Sequence, residues 1–238
     1  MKSKEMGKNL ALSHFIPGGS LAEGSLPFVE HAIERRRAAQ GWQLCLKRTM
    51  DVVISALLLI LLVPLFLVIA VAIRLTSPGP ILYKWHVVGK NGKQFTSYKF
   101  RTMVVGADEM KQQLLDNNEM AGPVFKMKND PRITAVGRIL RKFSLDELPQ
   151  LWSVLEGDMS LVGPRPPLDY EVEEYEDWHF GKLSVQPGAV SLWHVAGKPK
   201  DFDEWIRLDL KYIRDWSLWL DVKILVQIIP YVLLGKNY

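Results

Sequence analysis

The sequence predicts an α+β fold: a mainly helical domain carrying one small β-hairpin, anchored by a Pro-kinked apolar helix and by interfacial amphipathic helices. Three observations carry this. The run "VVISALLLILLVPLFLVIAVAI", Val52 to Ile73, holds no charge over 22 residues. Two alternating segments flank Gly89-Lys90-Asn91-Gly92, a hairpin turn signal. The rest breaks into short helical patterns punctuated by Gly and Pro.

Composition sets the limits. The chain has 238 residues, is 48% hydrophobic and carries a formal net charge of +4. A mild positive excess suits an anionic membrane surface or phosphorylated substrates as well as nucleic acid. Cys45 is the only cysteine, which excludes an internal disulfide and any multi-cysteine metal site. Five of the eight tryptophans (Trp178, Trp193, Trp205, Trp216 and Trp219) fall in the last third, where interface positions favour a ring with one wet edge.

Residues 1–46 read as an extension: a loose "IPGGSLAEGSLP" stretch, then a short basic helix ending at Gly41. Residues 47–76 hold the apolar run. At ~1.5 Å per residue a straight helix here would extend ~33 Å, enough to cross a bilayer. Pro64, near its middle, removes a backbone hydrogen bond and kinks the helix. Lys47 and Arg48 before the run and Arg74 and Lys84 after it make both flanks basic, so charge asymmetry assigns no direction. A helix that enters, bends at Pro64 and returns satisfies both facts; a single crossing stays open from the residues alone.

Residues 77–238 form the expected soluble-facing domain. "SPGP", Ser77 to Pro80, stops the helix, and the hairpin follows. Gly106 to Asn118 predicts a polar helix, and "NDPRITAVGRILRKF" a turn and a short basic helix. "DELPQLWSVLEGD" predicts a helix ending at Gly157. "DYEVEEYEDWHF" predicts an acidic, solvated helix face. The tail predicts helices broken at Pro230, with an apolar second half that suits a core, a membrane interface or a second subunit.

The chemistry concentrates around "KFSLDELPQL", Lys142 to Leu151. Six bases (Lys126, Lys128, Arg132, Arg138, Arg141 and Lys142) precede the adjacent carboxylates Asp146 and Glu147, and Arg165 follows in "GPRP". Lys99 and Arg101 stand upstream in "YKFRTM". Bases around two acids suit a polyanion whose charge is bridged by Mg²⁺, which takes one or two carboxylates plus substrate phosphates. A plainer reading competes. Ser144 to Glu147 has capping-box spacing, although Pro149 favours a start with Asp146 as cap. Both place the acids at a helix N-terminus, where phosphate is also welcome. His86, His179 and His194 lack metal-ligand spacing and read as packing or surface residues.

Taken in order, "KRTMDVVISALLLILLVPL", "SPGPILYK", "YKFRTM", "NDPRITAVGRILRKFSLDELPQL" and "GDMSLVGPRP" resemble the bacterial sugar transferase family, the monotopic polyprenyl-phosphate phosphoglycosyl transferases. The resemblance runs from about Lys47 to the C-terminus. It implies transfer of a hexose 1-phosphate from a UDP-sugar to undecaprenyl phosphate, with release of UMP. It implies Asp146 as nucleophile of a covalent intermediate, Glu147 as its Mg²⁺-positioning neighbour, and Lys99, Arg101, Arg141 and Arg165 on the phosphates. It implies a re-entrant helix broken at Pro64, and a catalytic domain on the cytoplasmic face of the bacterial inner membrane. Two segments depart from the family pattern. "WHVVG" places Trp85 and Val87 where Gln and Arg are common, and "PGAVSLWHVAGK" has His194 for Gln and Lys198 for Arg. Those departures leave a second reading, a silent membrane scaffold that binds polyanions or glycan-assembly partners. A nucleic-acid binder ranks below both, since the bases cluster with carboxylates rather than along a clean stripe.

Overall fold

The computed structural model describes residues 41–235. The expected loose segment and basic helix before Gly41 lie outside the described residues. The chain is mostly helical, with one two-stranded antiparallel sheet and one short parallel pair.

The apolar run is carried by two helices, α1 (Gly41–Leu61) and α2 (Val63–Thr76), bent by 60° at their junction. Pro64 sits in the first turn of α2. Hydrogen bonds continue on both sides, from Leu62 N to Leu58 O and from Phe66 N to Leu62 O. The one a proline cannot donate, to Ile60, is lost at the bend. No single helix among the described residues is long and apolar enough to cross a membrane; the bent pair together has the length and composition.

The first half of α1 is inverted relative to a helix in water. Its buried residues are Lys47, Asp51 and Ser55, spaced i, i+4, i+8, while Val53, Leu57, Ile60 and Leu61 are exposed. Each buried polar group except Ser55 has a defined partner. Lys47 Nζ donates to Asp221 Oδ2 at 2.6 Å and to Val162 O at 3.1 Å. Asp51 Oδ1 accepts from Leu161 N at 3.0 Å. Arg48 donates to the carbonyls of Val154 and Leu155, the last turn of a following helix, where a cation offsets the dipole.

The hairpin forms as expected. Strands β1 (Leu82–Val88) and β2 (Gln94–Phe100) pair antiparallel, Trp85 opposite Ser97 and Tyr83 opposite Lys99, around a 3₁₀ turn at Lys90–Gly92. The polar helix expected over 106–118 is shorter: α3 (Ala107–Lys111), then a 3₁₀ stretch, Gln112–Asn117. Helix α4 (Ala135–Lys142) is capped by Thr134, whose hydroxyl accepts from Gly137 N. A side chain at Gly137 would collide with Thr102 O, so glycine lets α4 lie directly on the end of β2. Helix α5 (Gln150–Glu156) ends as expected on Gly157, whose positive φ of 93° suits glycine.

Strands β3 (Ser160–Val162) and β4 (Gly188–Val190) pair in parallel. Between them lie α6 (Asp169–Glu173) and a 3₁₀ segment, Asp177–Ser184; beyond lie the short α7 (Leu192–Val195), α8 (Phe202–Arg214) and α9 (Leu218–Leu233). The tail is not broken at Pro230. α9 runs through it to Leu233, because the proline costs one bond only a turn from the helix end. The acidic stretch is not uniformly solvated either: Glu171 is 1% exposed.

Two apolar clusters organise this. The larger joins Leu151, Val154 and Met159 to Ile206, Leu210, Ile213 and Ile224. The smaller packs Ile69 and Ile73 of α2 against Phe100 and Leu140, with Leu145 at its edge. Full burial of such a side chain contributes about 1.5–3 kcal/mol. The smaller cluster therefore ties α2 to the three segments that carry Arg101, Arg141 and Asp146.

Candidate active site

A cavity of about 590 Å³ opens where β2, the turn after α4, the loop after β3 and the turn after β4 converge. Lys99, Arg101, Arg141, Asp146, Glu147 and Arg165 all line it.

Neither expected cap exists at "SLDE". Ser144 adopts a left-handed conformation (φ 52°, ψ 26°) with no side-chain cap bond, and Leu145–Glu147 form a 3₁₀ turn. Pro149 rather than Asp146 occupies the position before α5. The proline's fixed φ favours that start, and the left-handed Ser144 reverses the chain so that Asp146 turns inward. Asp146 is 9% exposed.

The two carboxyls titrate far apart. Burial, then the neighbouring Glu147 charge, raises Asp146 to about 6, against the pull of Lys99 and Arg141. Burial also works against Glu147, but Lys99, with help from His194 and Arg165, outweighs it and holds that carboxyl at about 2. Lys99 Nζ lies 2.7 Å from Glu147 Oε1. Hairpin register places Lys99 there: it lies diagonal to Trp85 on one sheet face, its ammonium 3.8 Å from the centre of that ring.

The other bases divide into two groups. Arg141 Nε donates to Thr102 Oγ1 at 2.8 Å, which holds it at the cavity wall. Arg165 sits 4.9 Å from the Trp205 ring, both Glu171 oxygens 3.2 Å from its Nη1. Arg101 lines the cavity, but its guanidinium donates to the carbonyls of Ser77 and Pro78 at 2.7 Å each and so clasps the loop after α2. Arg132 forms a buried fork with Asp130, with Nη2 to Oδ2 at 2.6 Å; Arg138 and Lys142 are exposed and do not line the cavity.

Trp85, His194 and Lys198, which depart from the family pattern, all line the cavity, a placement that the residue spacing alone did not give. Strands β3 and β4 run in parallel, so the "GPRP" loop after one and the Ser191–Lys198 turn after the other leave the pair at the same edge. His194 is thus a cavity residue, not merely packing. Its Nδ1 accepts from Ser191 N at 3.0 Å, and burial lowers its pKa to about 4, leaving a neutral ring. His179 is a packed residue, as expected, and His86 is exposed beside Thr96.

The cavity holds an acid pair among bases, and comparison with known proteins decides the family: the profile of the family "Bacterial sugar transferase" matches residues 42–235. The chain belongs to the bacterial sugar transferase family. A galactosyl transferase of Streptococcus agalactiae is 44% identical over 195 residues, covering 80% of this chain and 43% of that protein. An undecaprenyl-phosphate galactose phosphotransferase of Salmonella typhimurium is 46% identical over 193 residues, 79% of this chain and 40% of that protein. An exopolysaccharide production protein of Rhizobium meliloti is 37% identical over 196 residues, 80% of this chain and 87% of that protein. The chain thus spans about two fifths of the length of the first two relatives and most of the third.

Among the described residues no group of three or more His, Cys, Asp or Glu converges on one point. The Asp146–Glu147 pair fits the mode in which Mg²⁺ takes two carboxylates and completes its shell with phosphate oxygens and water. Burial first, and then the Glu147 charge beside it, raise Asp146; a cation would offset the second of these.

Proposed function

We propose that the chain is a membrane-bound phosphoglycosyl transferase that moves a hexose 1-phosphate from a UDP-sugar to undecaprenyl phosphate. The observation that carries this is the pair of unlike carboxyls on a cavity wall ringed by Lys99, Arg141 and Arg165. The relatives' names point the same way.

Asp146, mostly ionised at neutral pH, attacks the sugar-bearing phosphorus. A new carboxylate–phosphorus bond forms, the bond to the bridging oxygen breaks, and UMP leaves with that electron pair. An oxygen of the lipid phosphate then attacks the same phosphorus, the Asp146–phosphorus bond breaks, and the carboxylate is restored. Glu147 stays charged beside it. Arg141 and Arg165 orient the phosphate oxygens and neutralise charge that builds on them. Mg²⁺ held by Asp146 and Glu147 would supply further positive charge to the phosphates.

The membrane role rests on the reversed α1, polar inside and apolar outside, and on the exposed Leu67, Val68, Val71 and Leu75 of α2. In lipid that apolar face lies in its preferred solvent, and in this reading the chain turns at the 60° bend and goes back to the face it entered from. The site then faces the cytoplasm at the inner-membrane surface, where both substrates meet. Residues 47–76 act as the anchor and 77–238 as the catalytic domain, with α9 at the interface.

The decisive experiment incubates the full chain in membranes with Mg²⁺, undecaprenyl phosphate and a panel of UDP-sugars. UMP release with one sugar, lost in Asp146→Asn, is the expected result. Absence of UMP with every sugar would overturn the reading.

A further inference from the structure

The attacked phosphate sits against Asp146, yet two phosphates occupy the cavity in each half of the proposed reaction. The second needs cationic partners of its own. We propose that Lys126 and Lys198, both beside the Trp193 ring, form a second phosphate-binding subsite in this cavity; the assignment rests on the transferase reading.

The cluster is built, not incidental. Lys126 Nζ lies 5.2 Å and Lys198 Nζ 5.9 Å from the centre of the Trp193 ring. That ring stacks on Trp205 at 4.4 Å with 16° between planes, and Trp205 in turn carries Arg165 on its face. All three cations line the cavity. Each lysine is held by its backbone. Lys126 N donates to Asn118 Oδ1 at 2.8 Å and its carbonyl accepts from Glu119 N, closing that loop on itself. Lys198 sits at φ 54°, a left-handed position that is uncommon for a residue with a Cβ, directly after Gly197 at φ 86°. Trp193 Nε1 donates to Pro199 O across the same turn at 3.0 Å. Strain of this kind persists where surroundings enforce it and gathers at binding sites.

The charges agree with this placement. Burial, then the Lys126 charge, lowers Lys198 to about 8, while Glu147 opposes the shift. Lys126 is lowered in turn by burial and by Lys200 and Arg165, against Glu119. An anion between the two ammonium groups removes that mutual repulsion. A phosphate monoester or diester fits; a neutral hydroxyl does not.

Two sources supply such a phosphate: the departing nucleotide and the lipid carrier. Lys198 also lies 6.0 Å from the ring of Tyr231 on α9, whose Ile229 and Leu233 are exposed, so both directions open onto the subsite. The experiment separates them. Affinities of the full chain in detergent are measured for UMP, for a short-chain polyprenyl phosphate, and for uridine and the polyprenol. Lys126→Gln and Lys198→Gln should each weaken one of the phosphates by about tenfold or more, with the phosphate-free partners unchanged. UMP responding assigns the nucleotide phosphate, and polyprenyl phosphate responding assigns the lipid. Lys126→Arg should recover most of the affinity, and Lys200→Gln, whose cation pairs with Glu119 outside the cavity, should leave it within twofold. The subsite is refuted if wild-type protein binds neither phosphate. It is equally refuted if both phosphates keep wild-type affinity in the variants, or if Lys200→Gln weakens them as much. Because binding is read without turnover, a chain that binds UMP through these lysines but releases none from any UDP-sugar would fail the transferase reading alone.

Discussion

Lys99 links the hairpin to the turn that carries Asp146 and Glu147, its ammonium 2.7 Å from the Glu147 carboxylate and over the Trp85 ring. This contact is what separates the two carboxyls electrically. Lys99 outweighs burial at Glu147 and also draws Asp146 down. Lys99→Met should therefore raise both carboxyls, shift the acid limb of the pH–rate profile to higher pH, and lower kcat/KM by about 10²–10³. Lys99→Arg should recover part of the rate. A profile that falls in height without moving along the pH axis would show that Lys99 does not set the charge of the pair.

Asp146 is costly to the folded protein. Its folded value of about 6 lies above the ordinary 3.8, so ionising it in place opposes folding. The penalty is complete above pH 6, fades as pH falls through the interval between those values, and is absent below it. Asp146→Asn should abolish UMP release yet stabilise the chain by on the order of 1–3 kcal/mol at pH 7 with divalent cations chelated. The gain in Tm should vanish at pH 3.5. A variant less stable than wild type at pH 7 would contradict the charge assignment.

The buried pair of Lys47 and Asp221 holds α1, β3 and α9 together. The Tyr212 hydroxyl, 2.7 Å from Oδ1, and Trp216 Nε1, 3.2 Å from Oδ2, share the Asp221 carboxylate. Lys47→Met leaves a buried carboxylate without its cation and should cost about 3–5 kcal/mol, roughly 6–20 °C in Tm. Adding Asp221→Leu should restore only part of the stability: Trp216 Nε1 then loses the Asp221 carboxylate, while the Tyr212 hydroxyl keeps the Val162 carbonyl, 2.9 Å away. Thermal melting of the single and double variants reads both effects.

Much of this was legible in residue patterns. Alternation around "GKNG" gave the hairpin, and its register follows from a turn of that length. Pro64 marked the bend because a proline removes one identifiable bond. The cluster of bases marked the cavity, but not which bases face it. Arg101 turns to the carbonyls of Ser77 and Pro78, remote in sequence, and Arg132 to Asp130 two residues before it. Glu171 looked solvated because the pattern of acids does not show that Arg165, six residues upstream, turns back onto its carboxylate. The three-residue strands β3 and β4 are too short for any period to register, so the convergence of Arg165, His194 and Lys198 was hidden with them. The cap reading failed at Ser144 because a left-handed residue is decided by the space left for the chain, not by spacing to Glu147.

The bend at Pro64 makes a prediction about which side of the membrane the chain occupies. Cys45, an exposed thiol on α1, and Lys84, exposed on β1, flank the apolar run Val52 to Ile73. If the helices enter and return, a membrane-impermeant maleimide should reach native Cys45, and Lys84→Cys in a Cys45→Ser chain, from the same side of sealed vesicles. Pro64→Leu restores the missing donor at the junction and removes the ring that crowds Ile60. With an unbroken apolar helix of ~33 Å available, a fraction of that variant should expose position 84 on the opposite side. Opposite labelling of the two positions in the unaltered helix would establish a single crossing and remove the re-entrant anchor from the proposal.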